Sequence, residues 1–111
     1  MTDSWMIQRL RSAFFRENSL VVVLRLLGQE ELSEWEILSL MHSRFGSTPS
    51  SREFRRLCQV LLDGRYATIE PDGETRKLKL TPAGDELLRR LEEECREILT
   101  GFDSPGGLFT R

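Results

Sequence analysis

A mainly α domain with one small β-hairpin is the fold class that this 111-residue sequence predicts. Three observations carry it. Apolar residues recur at three- and four-residue steps through most of the chain, and the period changes to two only once, just after Gly64. A helix-start signal, Thr81-Pro82, then returns the chain to helix. With 39% apolar and 31% charged residues, the length suits one globular domain and excludes two-lobed enzymes.

Ser4 caps a first helix to about Phe15, with Met6, Ile7, Leu10, Ala13 and Phe14 on one side. Glu17-Asn18-Ser19 interrupts it. Leu20–Leu27 is nearly all apolar; Val21-Val22-Val23 is β-branched, but the neighbouring leucines and a stop at Gly28 favour a buried helix over a strand. Ser33 and Glu36 form a capping box for a helix to about Arg44, with Trp35, Ile37, Leu38, Met41 and Phe45 as its apolar stripe and Gly46 as its end. Ser47–Ser50 is a short turn, with Pro49 at the start of the next helix, which runs to Leu62 and closes at Asp63-Gly64.

Tyr66–Glu70 and Thr75–Leu80 alternate in part, and Pro71-Asp72-Gly73-Glu74 between them is built of turn residues, which makes a hairpin. The last helix continues from Pro82 through Leu99. Gly101 and a Pro/Gly-bearing tail follow. The division expected is a flanking helix over 1–17, a central unit over 18–80, a C-terminal helix over 81–102 and a flexible tail over 103–111. Helices followed by a two-stranded wing are the winged helix-turn-helix arrangement, with extra N- and C-terminal helices and with Ser33–Arg44 and Pro49–Leu62 as the helix-turn-helix.

Net charge is −2. Its distribution is uneven: residues 1–48 hold five positive and six negative side chains, 49–80 seven and five, and 81–111 four and seven. Only the middle third is basic. On the Pro49–Leu62 helix, Phe54, Leu57, Cys58 and Leu61 recur at core spacing, so Ser51, Arg52, Arg55, Arg56 and Gln59 face outward. Arg pairs with guanine, Gln with adenine, and both bind phosphate. The first turn of such a helix, led here by Ser50, Ser51 and Arg52, is where base contacts are made when it enters a major groove.

In the wing, Arg76, Lys77 and Lys79 are candidates for phosphate or minor-groove contact, with Leu78 and Leu80 on the opposing face as anchors. Glu70, Asp72 and Glu74 at the tip oppose it. The alternative is a wing held to its own domain by Glu–Arg pairs across the strands.

Arg52-Glu53-Phe54-Arg55-Arg56-Leu57 through Leu62-Asp63-Gly64-Arg65-Tyr66 resembles the recognition helix of the PadR family of transcriptional regulators, with Phe54 where that family usually has tyrosine. Arg76-Lys77-Leu78-Lys79-Leu80-Thr81-Pro82-Ala83-Gly84 resembles its wing exit, an element shared with the MarR family. The resemblance spans about Leu20 to Leu99. Ser33-Glu34-Trp35-Glu36 replaces the usual His-Gly-Tyr-Glu, and the wing lacks the usual aromatic pair. What the resemblance implies is a homodimeric repressor whose flanking helices make the dimer contact.

Leu88, Leu91, Cys95, Ile98 and Phe102 form a heptad seam on the last helix, and Met6, Leu10 and Phe14 offer a second apolar surface. These eight residues are the expected dimer contact. Cys58 and Cys95 read as buried small hydrophobes rather than a disulfide or thiol switch, and with His42 as the only histidine they lack zinc spacing. His42 near Ser39 and Ser43 lacks an orienting carboxylate, and no glycine-rich phosphate loop exists, so neither an enzyme nor a cofactor is expected.

Leu20–Leu27 is far short of the ~20 residues of a membrane span and too internal for a signal peptide, which reads as a cytoplasmic protein. The expectation is therefore a sequence-specific DNA-binding regulator acting as a homodimer on double-stranded DNA, with a small-molecule effector left open. The alternative is a winged helix used as a protein-interaction module.

Overall fold

The computed structural model describes residues 2–103, so the tail expected at 103–111 lies, beyond Asp103 itself, outside the described residues. In chain order the elements are α1 (Thr2–Glu17), α2 (Ser19–Gln29), β1 (Leu32–Ser33), α3 (Glu34–Phe45), α4 (Ser51–Asp63), β2 (Ala67–Asp72), β3 (Thr75–Leu80) and α5 (Pro82–Asp103). The helix–hairpin–helix order matches the reading of the sequence. β1 does not: it pairs Leu32 with Leu78 and Ser33 with Lys77, which makes a three-stranded antiparallel sheet in the order β1-β3-β2. Two residues are too few to show alternation.

α2 is the centre of the core. Val22, Val23, Leu24, Leu26 and Leu27 are all buried, and only Arg25 reaches solvent among them, where its Nη1 meets Glu92 Oε2 at 2.7 Å. Packing on nearly every side is what lets three β-branched residues stand in a helix, since each buried Val or Leu contributes roughly 1.5–3 kcal/mol. The helix runs past the expected stop at Gly28 to Gln29, and the chain turns away at Glu30 in an extended conformation. Gly28 is not a left-handed cap.

Ser33 and Glu36 make the expected capping box: Ser33 Oγ accepts from Glu36 N–H at 3.1 Å, and Glu36 Oε1 accepts from Ser33 N–H at 2.9 Å. Ile37 and Met41 are buried, and Leu38 and Phe45 half-buried. Trp35, expected on that stripe, is instead 75% exposed. It stands two residues before Ile37, roughly 200° around the helix, and so on the opposite face.

On α4 the cap is Ser50, so Pro49 precedes the cap rather than occupying the first turn. Phe54, Cys58 and Leu61 are buried and Leu57 is half-buried.

The hairpin turn is tighter than expected. Asp72 pairs with Thr75, leaving Gly73-Glu74 as a two-residue turn with Gly73 at φ +65°, as a type II′ turn requires at its first central position. Pro71 lies within β2, tolerated because β2 is an edge strand. The wing exit closes the fold: Thr81 Oγ1 accepts from Gly84 N–H at 3.1 Å and donates to Arg65 O at 2.7 Å. Gly84 presses on the α4–β2 link so closely that a Cβ there would overlap the carbonyl oxygen of Tyr66.

Candidate nucleic-acid interface

α4 presents its polar residues on one face because its apolar ones share the other. At roughly 100° per residue, Arg55, Gln59, Arg52, Asp63 and Arg56 fall in that order across an arc of about 100° opposite Phe54, Cys58 and Leu61. All five are exposed. Among the described residues, none of the three guanidinium groups enters an ion pair, so their charge is available to a partner. Ser51 is exposed at the helix start. Ser50 is already engaged as the cap, its Oγ accepting from Glu53 N–H at 3.2 Å and donating to Glu53 Oε1 at 3.0 Å.

The wing is arranged differently. Lys77 Nζ lies 3.2 Å from Asp72 Oδ2 and 3.9 Å from Glu36 Oε1, and Lys79 Nζ lies 3.8 Å from Glu31 Oε1. The hydrogen bond with Asp72 and then the charge of Glu36 raise the Lys77 pKa above its ordinary value. Glu36 is held below the usual carboxylate range, chiefly by the Ser33 backbone N–H. The wing is thus tied to its own domain by lysine–carboxylate pairs, one across the strands to Asp72 and the others to Glu36 of α3 and Glu31 just before β1, rather than by the Glu–Arg pairs of the alternative reading. Arg76 also departs from the reading of the sequence. By strand parity it shares the side of Leu78 and Leu80, not that of the lysines, and it is exposed because it sits opposite Pro71 near the tip.

A second surface is formed by α1 and α5. α1 is anchored by Phe15, which is buried and stacks on Phe45 with ring centroids 5.1 Å apart. The stripe of Met6, Leu10 and Phe14 is therefore turned outward, and Leu10 is 69% exposed. Leu10 and Phe14, with Cys95, Ile98 and Leu99 of α5, line an apolar groove of about 530 Å³, to which Met6 does not contribute. Leu88 does not belong to that surface: it is buried in the chain's own core near Gly28, because α5 packs its first turns on α2. Leu91 is half-buried against the same core, and the side chain of Phe102 lies outside the described residues. Leu99, 70% exposed, was missed, since it falls off the strict heptad positions.

Burial, and secondarily the charge of Glu34, pushes the Cys58 thiol up to about 11, so it stays protonated at neutral pH. Among the described residues no group of three His, Cys, Asp or Glu side chains could hold a metal, and no helix is long and apolar enough to cross a membrane. Val60, half exposed on α4, and the acceptor Asp63 were also missed; the i, i+4 spacing of Gln59 and Asp63 was the available signal for the second.

No protein-family profile matches the chain, and no curated protein matches it by sequence. Solved structures do match in three dimensions. A transcriptional regulator from Clostridium thermocellum superposes with a TM-score of 0.71 at 14% identity, over 82% of this chain and 95% of that one. A winged-helix DNA-binding protein from STIV gives 0.64 at 21% identity, over 75% of this chain and 91% of that one. The element order, the three-stranded antiparallel sheet and these likenesses together make this chain a winged-helix protein with added N- and C-terminal helices.

Proposed function

We propose that this protein is a sequence-specific DNA-binding transcriptional regulator, acting as a homodimeric repressor in the cytoplasm. Residues 18–80 are its DNA-binding unit, and α4, the helix expected at 49–62, is the element that enters the major groove. The observation that carries the reading is the face of Arg52, Arg55 and Arg56, exposed and, among the described residues, free of ion pairs on the second helix of a helix-turn-helix. Ser50 and Ser51 stand at its leading end and Gln59 at its far side. Arg76 adds a phosphate contact from the wing. Lys77 and Lys79 serve there only by leaving their carboxylate partners, so the wing contributes less than α4.

The dimer forms through the outward stripe of α1 and the distal half of α5, over 81–102. The supporting observation is the apolar groove between Leu10, Phe14, Cys95, Ile98 and Leu99, which an isolated subunit leaves in water.

A salt titration of binding to duplex DNA tests the reading. Two copies supply six α4 arginines, and if all six meet phosphates, log affinity should fall against log salt with a slope of roughly −5. A flat response, or no binding at low salt, would reject it. One observation favours a second reading, a protein-interaction module without DNA binding. The wing lysines are satisfied within the domain, and the tip residues Glu70, Asp72 and Glu74 are acidic.

A further inference from the structure

Asp63 is disfavoured where it stands. It is the last residue of α4, where a carboxylate meets the negative end of the helix dipole, and it lies about two turns beyond Arg56 on the same side of the helix as the arginines, the face that would approach a polyanion. A side-chain hydrogen bond explains the position: Gln59 Nε2 donates to Asp63 Oδ1 at 2.7 Å.

That contact decides which way the Gln59 amide points. An ionised carboxylate only accepts hydrogen bonds, so it takes the nitrogen end and refuses the oxygen. Gln59 keeps its Oε1 acceptor and one N–H for a ligand. An adjacent acceptor and donor complement adenine, which offers the N6 amino donor and the N7 acceptor on its major-groove edge. Guanine offers two acceptors, O6 and N7, and a fixed Oε1 would face O6 with no hydrogen between them. An amide free to turn over could give both hydrogens to guanine instead.

Resting on the reading of α4 as a major-groove helix, we infer that Asp63 is a positioning residue that sets base preference: by holding the nitrogen of Gln59 it makes that side chain a reader of adenine and excludes guanine. Specificity here comes from rejecting the wrong base as much as from pairing with the right one.

The test uses the full chain and a set of duplexes selected by the unaltered protein. Gln59→Ala identifies the base pair concerned, as the one position where preference flattens. There the unaltered protein should favour adenine over guanine by on the order of 5- to 100-fold, the range for a bidentate contact. Asp63→Ala should bring that ratio towards one. Asp63→Asn should carry it towards guanine, because the new amide can donate to Gln59 Oε1 and free both of its hydrogens. Loss of the negative charge raises affinity for every duplex alike, so the adenine-to-guanine ratio is the readout, with melting temperature checking the fold.

If both Asp63 variants keep the original ratio while Gln59→Ala abolishes it, Asp63 has no such role. If Gln59→Ala changes no preference, Gln59 reads no base and the inference falls as well. A protein that binds no duplex selectively instead overturns the proposed function itself, a separate outcome.

Discussion

Leu10 and Leu99 allow the dimer contact to be broken without touching the subunit. They are 69% and 70% exposed in the single chain, so replacing either with glutamate removes little from the core. Full burial of a leucine is worth roughly 1.5–3 kcal/mol, and covering the exposed 70% therefore about 1–2 kcal/mol. A two-fold interface uses each residue twice. One substitution should then cost about 2–4 kcal/mol, with the expense of burying two carboxylates added. The dimer dissociation constant should rise by a factor of about 30 to 1,000.

Sedimentation equilibrium across a dilution series measures that constant directly. The melting temperature of the monomeric variant, taken at a concentration where the parent also dissociates, should match the parent. If the unaltered protein sediments as a monomer at tens of micromolar, or if Leu10→Glu and Leu99→Glu both leave the dimer intact, the groove is not the contact. Leu91→Glu is a poorer probe, because Leu91 also packs on its own core.

Arg55→Ala should cost about 1–3 kcal/mol on a cognate duplex and relax one base preference if it pairs with guanine; if it meets phosphate alone, all duplexes should weaken together. Stability should move by less than about 0.5 kcal/mol in either case, since the side chain is exposed. Ser33→Ala removes the α3 cap and should lower unfolding free energy by about 0.5–2 kcal/mol in a urea titration. Gly84→Ala forces a methyl group against the Tyr66 carbonyl, and a cost of at least about 1–3 kcal/mol should appear in the same assay. Glu36 has its pKa lowered in the folded state, so its stabilisation is complete above the ordinary value of 4.5 and is lost as pH falls through the folded pKa. Melting temperature measured between pH 2.5 and 7 should therefore drop less steeply below pH 4.5 in Glu36→Gln than in the parent.

Local rules were enough to make most of the fold legible. The capping box at Ser33 and Glu36, the left-handed Gly46 and the Thr81-Pro82 start depend on hydrogen bonds within a few residues, so the sequence states them directly. The same holds for the outward face of α4, because a helix with Phe54, Cys58 and Leu61 at core spacing leaves Arg52, Arg55, Arg56 and Gln59 nowhere else to go. What depends on distant partners was not legible. β1 exists only because β3 offers Leu78 and Lys77 to pair with it, and Lys77 meets Glu36 only because the fold brings α3 beside β3.

The apolar stripes show the limit most clearly. Met6, Leu10 and Phe14 recur at helical steps of four, and Leu88, Leu91 and Cys95 at steps of three and four, yet the first set faces water and Leu88 is in the core. Periodicity establishes that a helix has an apolar side, whereas which neighbour covers that side is decided by where the tertiary structure places α2 and Phe15, contacts far apart in the chain.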